Sequence, residues 1–173
     1  MSKIYIYLFV FFNIATLSSC WSQGLESRQL EGGYNSLGIK FINDKDFKES
    51  RHLALSKIEF EHFRRDTLVF VEYFIDVTGN YSFGLYESGT ISCYDIVNKD
   101  VDKTRTTREI VPKDICGLTP FIIKSIKEGN LKDVLEKGEK QRFTPNTTII
   151  ITIAKKEGKD YNIKAYRINN FKL

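Results

Sequence analysis

Few side chains in this sequence carry reactive chemistry, and their spacing decides what that chemistry could be. Of the two histidines, His62 lies four residues before Asp66 and next to an alternating stretch, whereas His52 sits beside Arg51 in a polar run. A His62–Asp66 pair would act as a hydrolase dyad only with a nucleophile such as Ser56 or Ser82 within hydrogen-bond reach. Zinc would need further ligands at a spacing such as H-x-x-x-H or C-x-x-C, and the sequence has neither. No metal ligand, cofactor or catalytic residue is therefore assigned. Glu72 and Asp76 fall in the most apolar segment, on one face of a strand, and the expectation is that this face meets solvent. The competing reading joins them to His62 or a basic loop residue in a buried polar cluster. Gly32-Gly33 lacks the Lys-Ser/Thr that a phosphate loop requires. Lys103, Arg105 and Arg108 lie in a polar stretch over 98–113, which reads as a surface loop and, secondarily, as an anion-binding one.

The start of the chain says more about place than about reaction. Met1 to Lys3 is positive, and Ile4 to Ile14 is apolar apart from Asn13. That run of about 11 residues is ~16 Å long as a helix, against the ~20 residues that span a bilayer. It reads as an export signal rather than a membrane span. Leu17-Ser18-Ser19-Cys20 follows it and resembles the lipobox of bacterial lipoproteins, an aliphatic residue and two small ones before cysteine. The resemblance implies cleavage before Cys20, lipid on its thiol and acylation of the new amino terminus. Several acyl chains anchor stably where one does not. Cleavage after Ser22 without lipidation is the alternative. The expected location is a bacterial cell envelope, lipid-anchored and facing the periplasm or the exterior.

With residues 1–19 set aside as a signal peptide, about 154 residues remain, one domain's worth. Only Lys3 of the 26 basic residues is lost, so the remainder exceeds its 22 acids by about three charges. That near-balance does not suit nucleic acid, which calls for a concentrated basic stripe. The membrane and an envelope protein are the expected partners. Cys93 and Cys116 are left as an even pair, and in an exported chain they read first as a disulfide. Two free thiols, or a redox pair, are the alternatives.

Residues 20–50 show poor periodicity and read as an irregular tether, with a single α+β domain over 51–173. Ser56 to His62 alternates as a half-buried strand, Leu68 to Val77 is apolar on both faces, and Tyr81 to Leu85 and Ile91 to Val97 complete a meander. Thr119 as N-cap with Pro120 behind it starts a helix, and Asn130 restarts a second that Gly138 closes. Thr147 to Ala154 and Tyr161 to Ile168 form a closing hairpin around Gly158. The expected class is α+β: a mostly antiparallel sheet, meander plus C-terminal hairpin, with one or two short helices. The strand, the Asp76-x-x-Gly79-Asn80 turn, and the strand, helix and strand that follow to Ile153 are similar to the C-terminal domain of TonB-type energy transducers. That resemblance implies an exposed strand that pairs with a partner peptide. The sequence departs from the family in its long segment between Val97 and Thr119. The expected role is a non-catalytic binding or interaction module, with an envelope hydrolase using the His62 region or a strand-pairing adaptor as alternatives.

Overall fold

The run from Leu68 to Ile75 is apolar at both parities because it becomes the middle of a sheet with helices on both faces. The computed structural model describes residues 25–38, 44–58, 60, 66–75, 78–102, 105–140 and 147–169. In chain order these form α1 (Ser27–Asn35), α2 (Lys45–Leu55), β1 (Thr67–Ile75), β2 (Asn80–Glu87), β3 (Thr90–Asp102), β4 (Arg105–Pro112), α3 (Thr119–Lys127), α4 (Leu131–Lys140), β5 (Thr147–Glu157) and β6 (Asp160–Asn169). The strands make one sheet in the order β4-β3-β2-β1-β5-β6, each antiparallel to its neighbours. The protein is thus an α+β fold dominated by antiparallel sheet. Among the described residues no helix is long and apolar enough to cross a membrane.

Alternation along β1 sorts the core into two layers. Leu68, Phe70 and Phe74 pack with Phe83, Ile150 and Ala154 beneath α1 and α2, which add Leu30, Tyr34, Phe47, Ala54 and Leu55. Val69 and Val71 pack with Ile149, Ile151 and Ile168 beneath α3 and α4, which add Ile122, Ile123 and Val134. The closing hairpin takes the register its alternation implies, with Ile149, Ile151 and Ile153 on the second layer and Tyr161 and Ile163 on the first.

Four sequence expectations are corrected. Residues 20–50 are not irregular where described, since α1 and α2 occupy most of the described part. Glu26 and Gln29 close a capping box on α1, and the Asp44 carboxylate accepts from the Phe47 amide at 2.9 Å to start α2. The expected strand over Ser56 to His62 is absent from its described part. Ser56 caps α2, and turn bonds from Lys57 and Ile58 back to Ala54 and Leu55 carry the chain on. Ile58 and Phe60 both face the first layer because they leave a helix end there, a placement that also satisfies a two-residue alternation. Where described, Asn98 to Pro112 is no loop: it forms the end of β3 and all of β4, with Thr106 opposite Asp100 and Arg108 opposite Asn98. Polar edge strands read like loops because half of each is wetted. Finally the described residues hold four helices, α4 continues to Lys140 past Gly138, and the N-cap of α3 is Leu118 rather than Thr119.

Candidate functional site

Helices α3 and α4 cover only part of the second face. Towards the ends of β2, β3 and β4 the side chains of Ser82, Asp95, Val97 and Val111 share that face, and Val97 and Val111 are exposed. A cavity of about 460 Å³ opens here, walled by Tyr73, Ile75, Val97 and the segment from Lys113 to Thr119. Its lining is mostly apolar, with the Ser82 hydroxyl, the Asn80 amide and the Asp95–Lys113 ion pair (2.9 Å) as polar features. Concave apolar walls with a few fixed polar groups are the usual makings of a ligand site.

The wall is built rigidly. Cys93 on β3 is disulfide-bonded to Cys116, with Cα atoms 5.3 Å apart, the pairing expected once Cys20 is set aside. The Lys113 amide donates to the Cys93 carbonyl at 2.9 Å, so the loop is fastened twice. Between these points Ile115 is 75% exposed at the cavity mouth. Thr119 then seats α3 directly on the sheet. Its hydroxyl shares a 2.8 Å hydrogen bond with the hydroxyl of the half-buried Tyr73, whose pKa burial pushes up, and it lies over Gly84. Thr119 does not cap the helix because its oxygen is used against the sheet. A Cβ on Gly84 would stand 2.4 Å from the Thr119 hydroxyl and 3.0 Å from its Cβ. Gly84→Ala is therefore expected to lose about 1–3 kcal/mol through overpacking, read by chemical denaturation. A Thr119→Ala background should return part of that loss, and strict additivity of the two changes would refute the close seat.

The second polar constellation lies inside the first layer. Glu72, with 0% of its surface exposed, meets Arg51 of α2, which is 6% exposed. Arg51 Nε donates to Glu72 Oε1 at 2.9 Å, and the buried Tyr81 hydroxyl donates to the same oxygen. The Arg51 guanidinium stacks on Tyr34 of α1, 3.9 Å above the ring centre. Burial raises the Glu72 carboxyl pKa, against the downward pull of Arg51 and Tyr81. Burial alone would lower that of Arg51, but the Glu72 charge, Tyr81, Tyr34 and the Glu72 hydrogen bond together raise it. Tyr81 and Tyr34 are raised by burial first and by the Glu72 charge second. Glu72 Oε2, Arg51 Nη2 and the Tyr34 hydroxyl have no hydrogen-bond partner among the described residues. The expectation that Glu72 faces solvent is thus overturned. Its strand face lies under two helices that the sequence did not disclose.

The remaining candidates scatter. His62, Asp76, Lys103 and Cys20 lie outside the described residues. His52 is exposed on α2, Ser56 and Asp66 are exposed at element ends, and Ser82 lines the open-face cavity. Arg105 begins β4. Arg108 does not front an anion loop. It reaches α2, where Nη2 meets the Asp46 carboxylate at 2.5 Å and Nη1 donates to Ser50 Oγ at 2.8 Å, tying β4 to the helix. Arg51 was missed, although Phe47, Ser50, Arg51, Ala54 and Leu55 repeat at helical spacing. No group of three or more His, Cys, Asp or Glu among the described residues is placed to hold a metal ion. The class defined here is an antiparallel sheet between two helical layers, with a disulfide-braced cavity on its open half-face. No protein-family model, curated protein or solved structure matches the chain.

Proposed function

We propose that this protein is a lipid-anchored module of a bacterial cell envelope that binds a partner or ligand at the open face of its sheet. The observation that carries the binding role is the cavity behind Ile115. It combines apolar walls, a few fixed polar groups and a loop held by both a disulfide and a ladder bond. Such a corner costs little to order on binding, because it is already ordered. Support for the anchor comes from Leu17 to Cys20 at the end of the apolar run. Expressed with a fatty-acid analogue, the wild-type chain should incorporate label and fractionate with membrane, and Cys20→Ala should do neither. Equal labelling of both chains ends the lipoprotein reading. For the site, material captured by the wild-type chain from its native envelope should be lost with Ile115→Asp. Retention of the same captured species would move the site elsewhere.

A second reading, the strand-pairing adaptor, is favoured by one observation: among the described residues β4 lies at the edge of the sheet, beside β3. Its outer backbone edge could accept an extended peptide. Pro112 at the end of the strand and the charged Arg108 and Glu109 within it are also devices that discourage pairing. Capture that survives Ile115→Asp but fails when Thr107 is changed to Pro would favour this reading.

A further inference from the structure

Given the binding role proposed for the open-face cavity, on which this rests, we infer that its ligand is an uncharged single-chain amphiphile, a hydrocarbon tail with a hydroxyl head. At about 460 Å³ the cavity has the size of a small-molecule site. The strand register tells its two ends apart. Towards the β1–β2 turn, Asn80 stands opposite Ile75 and Ser82 opposite Tyr73. Two residues further along β2, Gly84 stands opposite Cys93 and against Thr119. The disulfide and the Thr119 seat thus bound one end, and the neutral polar groups Asn80 and Ser82 lie towards the other.

The walls call for a tail. Val97 and Ile115 are 40% and 75% exposed, and Ile75 adds apolar surface beside them. Each methylene buried against such surface is worth about fourfold in affinity. The charges decide the head. Asp95 and Lys113 are the charged residues among those lining the cavity, and they hold each other at 2.9 Å. Lys99 and Glu109, further out on the same face, also pair at 2.9 Å. An anionic head would have to take Lys113 from Asp95 and then face that carboxylate, and a cationic head would meet the converse. A tail with no head would strip water from the Ser82 hydroxyl and the Asn80 carboxamide without replacing its hydrogen bonds. A hydroxyl head replaces them, since both side chains donate and accept. The Tyr73 and Thr119 hydroxyls are spent on each other and make no such demand.

The test is methyl NMR on the full chain in phosphatidylcholine nanodiscs, titrated with 1-octanol at measured free concentration. Saturable shifts are expected at Ile75, Val97 and Ile115 and none at Ile150 in the opposite layer. Octanoate and octylammonium, with the same tail, should bind about tenfold or more weakly. The shorter 1-hexanol should bind about tenfold more weakly than 1-octanol. Val97→Trp, at an exposed position on the wall, should abolish the shifts at Ile75 and Ile115, and Ser82→Ala should weaken binding about fivefold. The inference is overturned if 1-octanol leaves these methyls unmoved, if either charged probe matches it, or if its affinity is unchanged in both variants. A failed octanol titration, with envelope material still lost on Ile115→Asp, would sink the ligand class and leave the open-face reading standing. Octanol binding with capture indifferent to Ile115→Asp would uphold the ligand class and sink the capture of a partner there.

Discussion

Arg51→Met is expected to destabilise the protein by about 3–5 kcal/mol at neutral pH, the usual cost of removing one partner from a buried ion pair. The reason is Glu72, which would remain fully buried with the Tyr81 hydroxyl still donating to it. Methionine keeps most of the stem volume, so lost packing accounts for a minor part. The defect should also depend on pH, with a sign fixed by the direction of the Glu72 shift. Its folded-state pKa already lies above the ordinary value of 4.5 and rises further once Arg51 no longer pulls it down. An acid raised in the folded state contributes stability below its unfolded value and loses that contribution as pH rises through its folded value. The gap between wild type and variant should therefore be widest at neutral pH. It should narrow as pH falls through the variant's raised Glu72 value towards about 4.5. A gap that stays constant on acidification would show that Glu72 carries no buried charge. Arg51→Met combined with Glu72→Leu should recover most of the loss, since apolar replacement of both partners often proves neutral or better.

Replacing both Cys93 and Cys116 by Ala should cost about 3 kcal/mol, the chain-entropy estimate for a loop of roughly 24 residues. For a chain of this size that corresponds to a fall in midpoint of roughly 6–12 °C in a thermal scan. The damage should be local first. Amide exchange should accelerate over the loop from Lys113 to Leu118 while the β1–β5 ladder in the sheet centre keeps its protection. Two of the three fastenings of that wall survive, the Lys113–Cys93 backbone bond and the Tyr73–Thr119 hydrogen bond, so the fold itself should persist. An unchanged midpoint, or thiols of the native protein that react freely with an alkylating probe, would remove the disulfide from this account.

Legibility in the sequence followed how local the deciding interactions were. β1, β2, β5 and β6 were readable because a buried strand needs apolar residues at fixed parity, and Gly79 and Gly158 supply the positive φ that their turns require. Helix α3 was readable from Pro120 and from Gly129, which takes φ 75° at its end. Helices α1 and α2 were not. Their capping groups are Glu26 with Gln29 and Asp44, and their apolar stripes are interrupted by Ser50 and Arg51 at positions that turn out to be buried. A polar residue on a helix reads as solvent-facing until its partner is known, and the partner of Arg51 is 21 residues away on β1. β4 failed for the converse reason, as an edge strand that shows charge to water and clasps α2 through Arg108.

By itself the sequence determined the α+β class and the central strand, and it offered the Cys93–Cys116 pairing as the first of several readings. These rest on composition, cysteine parity and side-chain period, which are properties of the chain taken a few residues at a time. Only the tertiary structure decided that Glu72 is buried against Arg51, that Thr119 is spent on Tyr73 and Gly84, and that half of one sheet face stays open behind Ile115. Each of these depends on which elements lie over which face. That choice is made by the summed burial of two layers, and no single segment encodes it.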